Sequence, residues 1–151
     1  MKVIIAGSRT IPPLAGYELV CMGTRIAQMR GWEITEVVSG AARGVDAFGQ
    51  RWAEDQKIPL KQFPAEWVAM GRRAGLARNV EMAKYADALI AITNGSFGTR
   101  HMIRTAMARK MPMVVIAVSG ADVWVTETGK NFTDPASVEE NGEKFKQVSY
   151  E

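Results

Sequence analysis

The chain has 151 residues, 19 of them basic and 16 acidic, which gives a formal net charge of +3. Hydrophobic residues make up 47% of the sequence, so one buried core is expected and extensive disorder is not. No apolar run approaches the roughly 20 residues that span a bilayer, so we expect no membrane partner. The single cysteine, Cys21, excludes an internal disulfide and favours a cytoplasmic location. Since there is also only one histidine, no metal site is expected.

Apolar runs alternate with amphipathic segments along the first 118 residues. Continuous apolar runs bounded by turn residues predict buried parallel strands. These predicted strands are 3–6, 37–38, 60–63, 88–92 and 113–118. Segments with apolar residues at helical spacing predict the intervening helices. The predicted helices are 14–30, 46–56, 78–85 and 99–109.

This alternation predicts an α/β fold, a Rossmann-like open parallel sheet of about five strands with helices on both faces. We assign residues 1–119 to that domain. Residues 66–77 contain two glycines and two adjacent arginines and are expected to form a loop with one helical turn. Residues 123–126 suit a short strand. The remainder of 120–151 is mostly polar, so we expect a partly irregular C-terminal appendage.

Glycine-bearing loops follow the first, second and fourth predicted strands. The carboxyl ends of parallel strands meet at one edge of the sheet, where ligands bind, so these loops are expected to converge. The first loop begins Gly7-Ser8-Arg9, in which a hydroxyl and a guanidinium can bind phosphate oxygens. An ordinary turn with an exposed arginine is the alternative interpretation.

The second loop, residues 39–46, is built mostly from small side chains. Such side chains leave room for a flat group against the backbone. Asp46, at its end, can cap the following helix, or it can accept hydrogen bonds from a ribose or a base. Both interpretations stay open.

The third loop, residues 93–101, lies between a predicted strand and a predicted helix. The unpaired N–H groups and the partial positive charge of a helix start favour a phosphate there. Arg100 follows Thr99 where a P-loop would need its lysine, which disfavours triphosphate hydrolysis. The dinucleotide fingerprint is absent after the first strand, which disfavours hydride transfer.

The three loops provide the predicted ligand-binding and phosphate-binding residues. These are Gly7, Ser8, Arg9, Ser39, Gly40, Ala41, Arg43, Asp46, Asn94, Gly95, Ser96, Gly98, Thr99 and Arg100. Arg78, Glu81 and His101 are candidate catalytic residues if the protein is an enzyme. Arg78 and Glu81 can equally form a local helical ion pair. His101, in a first helical turn, can equally be a surface or capping residue.

Three runs, at 78–82, 86–91 and 95–99, resemble the LOG family of cytokinin-activating phosphoribohydrolases, which carry Arg-Lys-x-x-Met and then Pro-Gly-Gly-x-Gly-Thr-x-x-Glu. The first two loops resemble motifs of the DNA-processing protein DprA, also called Smf. Both families belong to the SLOG superfamily, and the sequence is most similar to its YspA-like branch. The shared runs are Gly7-Ser8-Arg9, Phe63-Pro64-Ala65-Glu66-Trp67, Ala74-Gly75 with Arg78-Asn79, and Gly98-Thr99-Arg100-His101-Met102-Ile103. The resemblance covers about residues 1–118.

This resemblance implies a nucleotide-derived ligand, either NAD-like or ADP-ribose-like or a nucleoside phosphate, and a homodimer or larger homo-oligomer. Large apolar residues in irregular segments, Trp67, Met70 and Trp124, are candidates for the contact between copies. The resemblance also implies an activity. Arg78 matches the catalytic arginine of LOG enzymes, but residues 100–103 lack the family's acidic residues, and N-glycosidic cleavage ordinarily uses a carboxylate.

We therefore expect nucleotide binding in the three-loop site, with no cofactor required. Two alternatives stay open. One is a nucleotide N-glycosidase of the LOG type. The other is a DprA-like module that binds single-stranded DNA, for which Trp67, Arg72, Arg73 and Trp124 are candidates. The net charge of +3 does not favour a nucleic acid partner.

Overall fold

The computed structural model describes residues 1–66, 70–127 and 146–149. The strands are β1 Lys2–Gly7, β2 Glu36–Ser39, β3 Leu60–Gln62, β4 Ala88–Thr93, β5 Met113–Ser119, β6 Asp122–Glu127 and β7 Lys146–Ser149. The α-helices in the described ranges are α1 Pro13–Met29, α2 Val45–Asp55, α3 Ala74–Tyr85 and α4 Phe97–Ala108. One turn of 3₁₀-helix, Gly71–Arg73, leads into α3. No helix in these ranges is long and apolar enough to cross a membrane.

The strands form a single sheet in the order β3-β2-β1-β4-β5-β6-β7. The first five pair in parallel, and β6 and β7 are antiparallel additions. The predicted Rossmann-like α/β fold is therefore confirmed. The strand order reverses between β1 and β4, and the chain connections leave this point in opposite directions. Ligands of open α/β sheets bind in the crevice at such a reversal.

The central strand β4 explains why the sheet has helices on both faces. All six of its residues are buried, and successive side chains point to opposite sides. Ile90 packs in the same cluster as Leu19 of α1. Leu89 packs in a second cluster with Met82 of α3. The continuous apolar run of β4 therefore supplies side chains to the core on both faces of the sheet.

The chain continues the sheet beyond the predicted domain end at residue 119. The strand predicted at 123–126 is present as β6, which pairs antiparallel with β5. The predicted division therefore falls within the β5–β6 hairpin. Most of the predicted appendage, 128–145 and 150–151, lies outside the described residues, as do Trp67 and the side chain of Arg72.

Gly7 ends β1 at a point where a side chain has no room. A Cβ on Gly7 would lie 2.3 Å from the Ile92 carbonyl oxygen and 2.7 Å from the Val45 Cβ. Glycine therefore allows β1, β4 and the start of α2 to meet directly below the crevice.

We expect Gly7→Ala to lower the free energy of unfolding by about 1–3 kcal/mol, because the backbone of β4 must move to admit the methyl group. Urea unfolding of the purified variant measures this. Gly98→Ala is the matched control, since a Cβ at that position meets nothing within 4 Å, and it is expected to be at least as stable as wild type because alanine suits a helix better than glycine. Wild-type stability in Gly7→Ala would contradict the close approach.

Candidate functional site

A cavity of about 370 Å³ lies at the carboxyl edge of the sheet, at the strand reversal. The loop after β1 contributes Arg9 and Thr10, the loop after β2 contributes Ala42, and the loop after β4 contributes Ser96. Residues of α2, α3 and α4 and the end of β1 complete the wall. The convergence of the three loops, expected from the sheet topology, is present in the structure.

The cavity divides the predicted site residues into those that line it and those that do not. The predicted residues on its wall are Gly7, Arg9, Asp46, Arg78, Ser96, Gly98 and Thr99. Those absent from the wall are Ser8, Ser39, Gly40, Ala41, Glu81, Arg43, Asn94, Gly95, Arg100 and His101. The structure adds lining residues that the sequence did not single out, namely Ala6, Thr10, Ala42, Gly75, Leu76, Asn79, Met82, Phe97 and Met102.

Two serine hydroxyl groups join the first loop to the third. Ser8 Oγ lies 2.7 Å from Ser96 Oγ and accepts a hydrogen bond from the Asn94 N–H at 3.1 Å. Ser96 Oγ donates in turn to Thr99 Oγ1 at 3.0 Å. Ser8 is buried, so its hydroxyl holds the two loops together and does not face the cavity.

Helix α4 begins at the cavity wall with its first N–H groups uncapped by any side chain. Ser96, the residue before the helix, has extended backbone, and its hydroxyl caps no N–H group. The Arg100 N–H is bonded to the Ser96 carbonyl oxygen at 3.0 Å, so the N–H groups of residues 97–99 precede the first helical bond. The space beside Gly98 is open. This geometry and the helix dipole favour an anion.

Arg78 reaches from α3 across to the second loop. Its Nη1 donates to the Gly40 carbonyl oxygen, and its Nε donates to Asn79 Oδ1 at 3.1 Å. A Cβ on Gly40 would lie 2.5 Å from that Nη1, so only glycine allows the guanidinium to pass. Burial lowers the pKa of Arg78, and the nearby carboxylate of Asp46 acts in the opposite direction.

Asp46, in the first turn of α2, is 4% exposed and is the only carboxylate that lines the cavity among the residues described. Its Oδ2 accepts the Ala42 N–H at 3.2 Å. Burial raises the pKa of Asp46, while the Ala42 hydrogen bond and the charge of Arg78 act to lower it. The helix-cap interpretation of Asp46 is wrong, because Gly44 precedes the helix, no side chain caps it, and the Asp46 carboxylate orders the preceding loop instead. The interpretation of Asp46 as a ligand acceptor stays a prediction.

Asn79 is a buried site residue that the sequence did not identify. Its Nδ2 donates to the Gly98 carbonyl oxygen at 3.1 Å and lies 3.1 Å from His101 Nδ1. Because its Oδ1 accepts from Arg78, this one amide connects α3 to the first turn of α4. The sequence offers one signal for Asn79, which directly follows Arg78. Its partner Gly98 lies 19 residues further along the chain, so a local pattern does not show their contact.

The two other candidate catalytic residues lie away from the cavity. The Glu81 carboxylate is 3.7 Å from Lys84 Nζ on an exposed face of α3. Glu81 therefore forms a local helical ion pair, as one interpretation of the sequence predicted, but its partner is Lys84 and not Arg78. His101 contacts Asn79. Neither Glu81 nor His101 is among the residues that line the cavity.

The remaining predicted ligand residues shape the loops. Ser39 is fully buried, and its Oγ accepts hydrogen bonds from the Ala41 N–H at 3.1 Å and from Gln50 Nε2 at 2.9 Å. Gly95 has φ of 94°, a turn conformation that glycine adopts without strain. Arg100 is half-buried, and its Nε has no hydrogen-bond partner among the described residues.

Two comparisons with known proteins identify the family of the chain. Residues 1–69, which include the loops after β1 and β2, match the model of the YspA, cpYpsA-related SLOG family. The chain is also 38% identical over 85 residues to the Gene 61 protein of Mycobacterium phage D29, a similarity that covers 52% of this chain and 68% of that protein. The resemblance to the YspA-like branch is thereby confirmed.

The contact between Asn79 and His101 gives the protein a predicted acid sensitivity. Burial and the charge of Arg104 lower the pKa of His101, so Nδ1 is free to accept the Asn79 amide at neutral pH. Since the folded pKa lies below the unfolded value of about 6.5, the stabilising contribution is complete above that value and is lost as the pH falls through the folded pKa. We expect Tm to fall more steeply between about pH 7 and 5 in wild type than in His101→Gln. Differential scanning calorimetry measures both proteins, and parallel curves would show that His101 carries no such linkage.

Proposed function

This chain belongs to the YspA, cpYpsA-related SLOG family, and from that membership and the cavity we propose that it binds a nucleotide or a nucleotide-derived molecule. The observation that carries the proposal is the arrangement of the cavity wall. The wall includes the open start of α4, and it also includes the buried Asp46 and the half-buried Arg78. A molecule with a phosphate and a sugar matches those two features.

The phosphate would occupy the open space beside Gly98, where it accepts hydrogen bonds from the first N–H groups of α4. Arg9 lies on the same wall and is exposed, so its guanidinium can close over two phosphate oxygens. Thr10, also on the wall, offers a hydroxyl. Ser8 supports this end indirectly through its bond to Ser96.

The sugar would lie toward Asp46 and Arg78. An ionised carboxylate accepts hydrogen bonds from ribose hydroxyl groups, and the guanidinium can donate to the ring oxygen or to a phosphate. Gly40 leaves the room that this pair needs. The cavity volume of about 370 Å³ falls within the range of small-molecule sites. NAD-like, ADP-ribose-like and nucleoside phosphate ligands are the proposed classes.

A second candidate function is cleavage of the N-glycosidic bond of such a nucleotide, favoured by the placement of Asp46. The region after Gly98 lacks the acidic residues of LOG enzymes, but Asp46 provides a carboxylate on the cavity wall. Burial raises its pKa, as is common for groups that transfer protons. In this reading Asp46 activates water or stabilises the oxocarbenium-like sugar, and Arg78 holds the phosphate or ribose.

The binding proposal predicts a charge-dependent effect at Gly98. Calorimetry against nucleoside monophosphates, ADP-ribose, NAD and cyclic nucleotides is expected to detect at least one ligand. Gly98→Asp is expected to weaken the affinity for that ligand by more than about 10-fold, because a carboxylate enters the proposed phosphate position. Its folding is expected to be intact, since the added atoms meet open space and an acidic group suits a helix start.

Gly98→Asn is the matched control, with the same size and no charge, and it is expected to bind more tightly than Gly98→Asp. Absence of binding by every phosphate-bearing compound in the panel would refute the proposal. So would wild-type affinity in Gly98→Asp.

The two candidate functions predict different products. If the protein only binds, chromatography after prolonged incubation with a nucleoside monophosphate is expected to return the compound intact. Appearance of free base would establish the second function, provided that Asp46→Asn or Arg78→Ala lowers its rate by about 100-fold or more. Base release that persists in both variants would point to a contaminating enzyme.

A further inference from the structure

Phe97 is an aromatic side chain that the structure leaves in water on the wall of the cavity. It is 71% exposed, although it is the first residue of α4 and lines the proposed ligand site. A large apolar ring on the rim of a polar cavity has surface that a ligand can cover. Helical side chains tilt toward the N-terminus, so the ring extends past the helix start at the rim of the cavity.

The other apolar residues of the wall have less surface to offer. Met82 and Met102 are each 1% exposed and already belong to the core. Leu76, in the first turn of α3, is half-buried. The polar groups Arg9 and Asp46 come from the loop after β1 and from α2. Among the apolar residues that α3 and α4 place on the wall, Phe97 is therefore the most exposed.

We propose that Phe97 stacks on the aromatic base of the bound nucleotide, so that the site requires a planar ring as well as a phosphate and a sugar. This inference rests on the proposed function. The proposed phosphate contacts use the start of α4 and the proposed ribose contacts use Asp46, so the base is the part of the ligand without an assigned partner, and Phe97 is the exposed ring on the wall that can supply one. Every base presents a π-face, so the contact selects for an aromatic group and tolerates different bases.

The test compares adenosine 5′-monophosphate with ribose 5-phosphate, which shares its phosphate and sugar but lacks the ring. Calorimetry measures both compounds on wild type, Phe97→Ala and Phe97→Leu. Phe97→Ala is expected to weaken the affinity for adenosine 5′-monophosphate by about 5- to 100-fold. Its affinity for ribose 5-phosphate is expected to stay within about 2-fold of wild type. Phe97→Leu, which keeps apolar surface without a π-system, is expected to be intermediate. Leu14→Ala removes a more exposed side chain, 87%, that does not line the cavity, and is expected to bind like wild type.

The outcomes separate this inference from the function on which it rests. If wild type binds neither compound, the nucleotide site itself fails. If wild type binds adenosine 5′-monophosphate and Phe97→Ala binds it equally well, the stacking role is overturned and the site survives. Equal weakening of both compounds would assign Phe97 to the phosphate end. Light scattering after size-exclusion chromatography measures the oligomeric state of the same variants. If Phe97→Ala changes that state and leaves the affinity for adenosine 5′-monophosphate unchanged, a second copy of the chain covers the ring. That result would overturn the inference.

Discussion

A short path of hydrogen bonds crosses beneath the cavity, and the geometry of the site depends on it. It runs from the Gly40 carbonyl oxygen through the Arg78 guanidinium and the Asn79 amide to the Gly98 carbonyl oxygen. The second loop, α3 and the start of α4 are thereby fixed relative to one another. Interactions of this kind are made before any ligand arrives, so the ligand does not have to order three separate segments.

The charges around the cavity follow from which groups are buried. Arg78 and Asp46 are removed from water together, and each offsets part of the cost of burying the other. Arg9 is exposed and is not neutralised in the same way. With the start of α4 adding partial positive charge, the phosphate end of the cavity has a net attraction for anions, while the sugar end is close to balanced.

The sequence predicted the framework well because strand burial leaves a local record. The run in β4 is apolar at every position but the last, and its boundaries differ from the prediction by a single residue. The convergence of the loops also followed, because it depends only on the order of elements. The helix starts are less well predicted. α3 begins at Ala74 and α4 at Phe97, ahead of the predicted residues 78 and 99, because the glycines at 75 and 98 are typical of loops although each lies in a first turn. The sequence pattern therefore puts Phe97 in a loop and not at a helix start.

Side-chain direction within the site could not be predicted, because it is set by partners far away in the sequence. Ser8 turns inward to Ser96, which is 88 residues away, and Asn79 turns toward Gly98. Both residues were visible in the motifs, but nothing local distinguishes a hydroxyl or amide that supports a loop from one that meets a ligand.

The edge strand β3 has a consequence for how copies of this chain can associate. It is three residues long, and both Lys61 and Gln62 are exposed on it. A short edge that carries a lysine is a poor template for another strand, and proteins use such edges to prevent sheets from joining end to end. The β3 edge is thereby disfavoured as a site for pairing with a second sheet, and a homo-oligomer is expected to form through another surface of the chain.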